Sequence, residues 1–212
     1  MATDSAPLIY VVTDIEADGP TPGENSMLSF ASVAVGEDGT EYGSFETVLQ
    51  SLPEAAPHER TLAWFKTQPE AYAAATRDPQ SAELEFKRYQ HWIRELPGEP
   101  AFAAHPLMFD GPWVDFYLRR FLHQPLFAMP WQTNRLFYGA GLCIRSYAKG
   151  VLGPHAPPPN NYPAAWLGDH AHTHRAIDDA RGYACLLLHL LREARLKSGS
   201  ADAHDTSSNR RN

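Results

Sequence analysis

Residues Gly168–Leu191 read "GDHAHTHRAIDDARGYACLLLHLL". Histidines stand at alternate positions (His170, His172, His174), followed by the adjacent aspartates Asp178 and Asp179 and then an apolar run. Two chemistries compete for this stretch. Alternating histidines suit a metal cluster, whereas one histidine ahead of one aspartate suits a base beside a metal held elsewhere. The closing helix is the firmer reading: Ile177, Ala180, Ala184, Leu187 and Leu191 form a stripe at helical spacing and face a core. At about 100° per residue, Asp179 projects on the flank of Tyr183, Leu186 and Leu190. Asp178 instead shares the side of Cys185, His189, Arg192 and Glu193. Asp179 therefore leans toward the protein and Asp178 toward water. His174 and Asp179 would stand about 140° apart on one helix, so they converge only if His174 lies at or before the helix start. Thr173 has the chemistry of an N-cap and would place His174 at that boundary.

Working outward, Leu8–Val12 is an apolar β-rich run that ends in Thr13-Asp14-Ile15-Glu16 and reads as a buried central strand. Met27–Val35 and Glu41–Leu49 read as two further strands, joined by the turn Gly36–Gly39 into a meander. Glu59–Phe65 reads as a short helix. Ser81–Leu96 reads as a longer one, stopped by Pro97-Gly98. Ala101–Ala104 is a short strand, Pro112–Leu122 an aromatic-rich helix, Gln132–Phe137 a fifth strand and Leu142–Lys149 a helix. The proline-rich stretch "GPHAPPPNNYP" (Gly153–Pro163) must be a loop. Three strands followed by alternating helices and strands predict an α/β layer fold with a mixed sheet.

The 212 residues suit one domain with a substantial core, at 43% apolar and 20% charged content. Two cysteines, Cys143 and Cys185, make neither a disulfide framework nor a four-ligand zinc pattern, so a reducing cytoplasm is expected. No basic region precedes an apolar stretch at the N-terminus, and no apolar run approaches the ~20 residues that span a membrane. A net charge of −7 argues against broad nucleic-acid binding by bulk electrostatics, less so where acids hold divalent cations.

Asp14 and Glu16 are two apart in a strand, so their carboxylates share one face. They repel each other unless a cation lies between them; the plainer alternative is a solvated strand end. Asp110, in "AFAAHPLMFDGPW", is a favoured helix N-cap ahead of Pro112, and a cap also fixes where a carboxylate points. The three alternating histidines could face one way in an extended segment and bind zinc, but no Cys or acid is spaced to close such a site. Surface-loop positions are the plain reading of His170 and His172. Met27, Leu28 and Phe30 could stack on bases or fill the core, and Trp64, Phe65 and Trp166 carry the same ambiguity.

In this order, Asp14-Ile-Glu16, Phe109-Asp110 and His174-Arg-Ala-Ile-Asp-Asp179-Ala resemble the three motifs of the DEDDh family of 3′–5′ exonucleases. The resemblance runs from residue 8 to about 195. "TLAWFKTQPEA" (Thr61–Ala71) is also similar to a segment of a small bacterial exoribonuclease-like branch of that superfamily. Two positions depart from the pattern. Ala17 stands where many relatives have Thr, and His105-Pro106 stands where many have His-Asn. Both changes bear on substrate contacts more than on metal binding.

The resemblance implies a ribonuclease H-like fold, a mixed sheet of about five strands flanked by helices. It assigns residues 1–197 to an exonuclease domain, with composition making 198–212 a disordered tail. It implies two divalent cations, Mg²⁺ or Mn²⁺. Asp14, Glu16 and Asp179 would hold one, Asp14 bridging to the second and Asp110 helping to hold that one. His174 would be the general base. The substrate implied is a single-stranded RNA or DNA 3′ end, RNA slightly favoured, with nucleoside 5′-monophosphates released. A homodimer is an allowed assembly. A catalytically silent nucleic-acid-binding or polymerase-associated module of the same fold is the alternative. A zinc hydrolase using His170, His172 and His174 is a third reading.

Overall fold

The structure, a computed structural model, describes residues 6–129, 131–158 and 161–208, with side chains described to Ser198 apart from position 155. Five strands, β1 (Leu8–Ala17), β2 (Met27–Gly36), β3 (Glu41–Val48), β4 (Glu99–Ala104) and β5 (Leu142–Cys143), form one sheet in the order β3-β2-β1-β4-β5. The first three make the expected antiparallel meander. β4 then pairs parallel with β1, and β5 parallel with β4, which makes the sheet mixed. Six α-helices accompany them among the described residues: α1 (Glu59–Phe65), α2 (Pro69–Thr76), α3 (Ala82–Arg94), α4 (Leu107–Leu122), α5 (Ile144–Leu152) and α6 (Ala176–Ser208).

The period of two in β1 sorts its side chains between two cores. Val11 and Ile15 join Phe30 and Phe102 against Phe86 and Tyr89 of α3 and Trp113 and Tyr117 of α4. Tyr10 and Val12 face the other way, with Ala31 and Val33, onto Ile177, Ala180, Leu187 and Leu190 of α6. Every residue of β2 is buried, as expected for a strand covered on both faces. Asp14 and Glu16 continue the even-numbered face of β1, which is the face α6 covers.

Several boundaries differ from the sequence reading, for identifiable reasons. Gln132–Phe137 is not a strand: Leu136 and Phe137 are buried as plugs into the α3/α4 core. Its end meets β4 through one bond, Tyr138 N–H to the Pro100 carbonyl at 2.7 Å. Gly139 and Gly141, both at positive φ, then bend the chain, so strand pairing starts only at Leu142. The helix predicted over Leu142–Lys149 loses its first two residues to β5. α4 begins at Leu107 with Pro106 at its cap, so Asp110 lies inside the first turn and is not an N-cap. α2 is not among the helices predicted from sequence, although Pro69 in its first turn and the run Ala73-Ala74-Ala75 are helix-forming signals. α6 keeps helical backbone from Ser198 to Ser208, where a disordered tail was expected; no proline interrupts that stretch. Residues 209–212 lie outside the described residues.

β1 and β4 run parallel, and β4 ends at Ala104 beside Thr13 while β1 runs on past it through Asp14 and Glu16 to Ala17. In open α/β sheets ligands bind beyond such carboxyl ends. The acids gather there.

Candidate active site

The four predicted carboxylates arrive from three elements. Asp14 and Glu16 come from the end of β1, where the pairing with β2 shifts register between Glu16 and Ala17. Asp110 comes from the first turn of α4, which follows β4 directly. Asp179 comes from the first turn of α6. A carboxylate oxygen from each of Asp14, Glu16 and Asp179 lies within 4.8 Å of the others. Asp110 lines the same open cleft of about 330 Å³, together with His105, Phe109, Thr61, Trp64, His172 and His174. Asp178 stays part-exposed and turns to Thr173 Oγ1, as the helical phase predicted.

Asp14, Asp110 and Asp179 are all buried. Burial raises the Asp14 carboxyl well above the ordinary range, and the charges of Asp110, Glu16 and Asp179 raise it further. Glu16 is raised by burial and then by Asp179 and Asp110. Burial also raises Asp110, and a backbone N–H from Ile15 offsets part of that. Asp110 Oδ2 is buried with no hydrogen-bond partner. An unpartnered buried carboxylate oxygen beside three more carboxylates fits a divalent cation, and the all-oxygen donor set suits Mg²⁺ or Mn²⁺.

The loop before α6 folds back over the helix start. His174 takes a left-handed conformation, φ 58°, two residues ahead of the helix. The cap position falls to Arg175, whose carbonyl accepts from the Asp178 and Asp179 N–H groups at 3.0 and 3.1 Å. Thr173 is thus not the cap. Its N–H donates to Asp179 Oδ1 at 2.9 Å, and that bond holds the carboxylate in place. His174 consequently sits beside Asp179 in the cleft, its ring edge-on to Trp64 at 5.1 Å. Burial, then the neighbouring His172, lowers its pKa.

The three alternating histidines separate. His172 Nδ1 contacts Asp179 Oδ2 at 2.9 Å, so His172 is not the uninvolved loop residue it resembles in sequence. His170 packs beside Gly168 and Gly182 instead. His105 is a further residue of the cleft. It stacks on Tyr183 with ring centroids 4.4 Å apart and reaches the Tyr162 hydroxyl at 3.4 Å. Burial pushes its pKa down to about 4, so it is neutral near pH 7. Only its place ahead of Asp110 in the motif hinted at this.

Met27, Leu28, Phe30 and Phe65 are core residues and are closed to bases. Trp166 stacks on His189. Trp64 and Phe109, 47% and 43% exposed, are the aromatic side chains left facing solvent at the cleft rim.

The raised carboxyls make a prediction about stability. Unfolded carboxylates titrate near about 4, and the native groups keep their protons to higher pH. The native state therefore binds more protons than the unfolded chain above that value, and metal-free stability falls as pH rises from about 4 through neutrality. Thermal melts followed by circular dichroism in EDTA should show a falling Tm from about pH 5 to 8, and saturating Mn²⁺ should restore most of it. A Tm indifferent to both pH and Mn²⁺ would contradict this account of the cleft.

No family model matches the chain. A curated relative, the 3′–5′ DNA exonuclease Cap18 of Escherichia coli, is 24% identical over 123 residues, which is 58% of this chain and 62% of that protein. The chain thus spans less than two thirds of that relative's length. Among solved structures, E. coli exonuclease I in complex with a dT13 oligonucleotide superposes with a TM-score of 0.62 at 15% identity, covering 92% of this chain and 43% of that one. The nuclease domain of 3′hExo, a DEDDh family member bound to rAMP, gives a TM-score of 0.60 at 10% identity and covers 91% of this chain and 95% of that one. The homodimer draws no support from these comparisons. Among the described residues no helix is long and apolar enough to cross a membrane. The mixed sheet with its flanking helices is the ribonuclease H-like fold of these neighbours, one of which, the 3′hExo nuclease domain, is a DEDDh family member.

Proposed function

We propose that the chain is a metal-dependent 3′–5′ exonuclease acting on single-stranded nucleic-acid 3′ ends. The observation that carries this reading is the meeting of Asp14, Glu16, Asp110 and Asp179 with His174 in one open cleft. Asp14, Glu16 and Asp179 would hold one divalent cation; Asp14 and Asp110 would hold a second. Two such cations neutralise charge on the attacking and leaving oxygens of a phosphodiester.

The chain's own residues do the rest. His174 accepts a proton from the attacking water, whose oxygen bonds to phosphorus as the bond to the 3′ oxygen breaks. The lowered pKa keeps its imidazole neutral and ready to accept near pH 7. Its place between Trp64 and His172 limits how far the ring can swing. Trp64 and Phe109 offer faces on which terminal bases can stack. The products are a nucleoside 5′-monophosphate and a strand shortened by one nucleotide. The intact set of four acids and the histidine speaks against the silent-module alternative.

The sequence reading leans toward RNA. The name of the Cap18 relative, a DNA exonuclease, favours DNA as a second reading. Matched RNA and DNA oligomers with 5′ labels, incubated with Mg²⁺ and with EDTA, separate direction, sugar preference and strandedness in one experiment. Persistence of both oligomers in Mg²⁺ or Mn²⁺ would sink the proposal.

The acids should differ in weight. Asp14→Ala should abolish activity and weaken Mn²⁺ binding by calorimetry more than Asp110→Ala does, because Asp14 would help hold both cations. Asp179→Asn should be nearly inactive and Asp178→Asn close to wild type. The opposite ranking of Asp178 and Asp179 would overturn the helical phase.

His174→Ala should lower kcat by ~10²–10⁴-fold while Mn²⁺ and oligonucleotide binding survive. The wild-type rate should rise with pH along a limb lying below the ordinary histidine value of about 6.5, and the variant should lose that limb. Retention of most of kcat in the variant at saturating Mg²⁺ would remove His174 from the role of base.

A further inference from the structure

One imidazole in the cleft takes no proton and holds no metal in the proposed hydrolysis. His172 Nδ1 lies 2.9 Å from Asp179 Oδ2, on the side of that carboxylate away from its Thr173 hydrogen bond. A nitrogen from His172, a nitrogen from His174 and a carboxylate oxygen of Asp179 lie within 4.8 Å of one another. We propose that His172, His174 and Asp179 form a transition-metal site, for a zinc-type dication, that overlaps the all-oxygen site at Asp179.

The donors differ in kind from the neighbouring set. Asp14, Glu16 and Asp179 offer only oxygens, the preference of Mg²⁺. Two imidazole nitrogens with one carboxylate suit Zn²⁺ or Co²⁺, which bind nitrogen far more readily, and three protein ligands leave a position open to water. Asp179 is already oriented for such a role. The Thr173 N–H fixes its Oδ1, leaving Oδ2 toward the histidines. The left-handed turn at His174 sets both imidazoles against the first turn of α6, with ring centroids 4.4 Å apart. His170 is not in this group, so the site is not the three-histidine cluster that the alternating spacing suggests. An ion there occupies Asp179 and His174 together. The two metal states exclude each other, and the zinc-bound one is inhibitory. This last consequence rests on the hydrolytic reading above; metal binding itself does not.

Metal-free full-length chain titrated with Zn²⁺ in a calorimeter tests the site without any nuclease assay. His172→Ala should weaken Zn²⁺ binding by at least about 10–100-fold, because even outer-sphere partners cost that much. His170→Ala and Glu16→Gln should bind Zn²⁺ as the wild type does. Far-UV circular dichroism and retained Mn²⁺ binding report that His172→Ala is folded. Co²⁺ gives a second readout on the unaltered chain: nitrogen ligands in a low-coordinate site produce intense visible absorption, and six oxygens produce only weak bands. Equal Zn²⁺ affinity in His172→Ala would overturn the site. A loss in Glu16→Gln as large as in His172→Ala would place zinc among the carboxylates and overturn it too, as would a weak octahedral Co²⁺ spectrum of the wild type. None of these Zn²⁺ and Co²⁺ measurements reads Mg²⁺-supported nuclease activity, so the two readings fail separately.

Discussion

Repulsion among Asp14, Glu16, Asp110 and Asp179 is the constraint on which the cleft depends. Each carboxylate is set there by the secondary structure that carries it, and none of those elements can turn away without exposing a core. Asp14 and Glu16 follow Tyr10 and Val12 on the β1 face that α6 covers. Rotating them into water would also rotate Val11 and Ile15 out of the α3/α4 core. Asp179 is tied in the same way to the apolar flank of α6. Packing energy therefore holds like charges together: burial, and after it mutual repulsion, raises the carboxyls of Asp14 and Glu16, and burial raises that of Asp110.

Two local features lighten that cost without removing it. Asp179 lies in the first turn of α6, where the unpaired N–H groups of the helix favour negative charge. The Thr173 N–H and His172 bond its two oxygens. Asp110 has no such relief at Oδ2. The contrast suits a cleft whose remaining negative charge is matched by cations rather than by protein donors.

The segment ahead of α6 shows how one stretch of sequence divides its labour. His170, His172 and His174 look equivalent by spacing. In an extended segment all three would point one way. The left-handed turn at His174 and the packing of His170 against Gly168 and Gly182 break that equivalence. Two imidazoles turn toward Asp179 and the third turns to the side of α6. Trp64, from a short helix anchored by Phe65 in a separate apolar cluster with Leu28, closes the opposite side of His174.

The amino-acid sequence by itself determined what depends on short-range periodicity. The meander, the closing helix, the shared face of Asp14 and Glu16, and the inward phase of Asp179 against Asp178 all follow from periods of 2 and 3.6, which are local properties of the backbone. The ordered motifs added the likeness to a family, and with it the expectation that His174, Asp110 and Asp179 meet. Tertiary structure decided what depends on long-range contact. Gln132–Phe137 has strand-like composition but plugs a core, because Gly139 and Gly141 bend the chain before pairing can extend. Asp110 passes for a helix cap in sequence, and only the docking of α4 beside β1 shows a buried oxygen with no partner. Met27, Leu28 and Phe30 could face bases or a core until the helices cover both sides of β2. His172 joins Asp179 through a turn whose positive φ no spacing rule announces, since left-handed backbone at a non-glycine residue is held by its surroundings and not by its own preference.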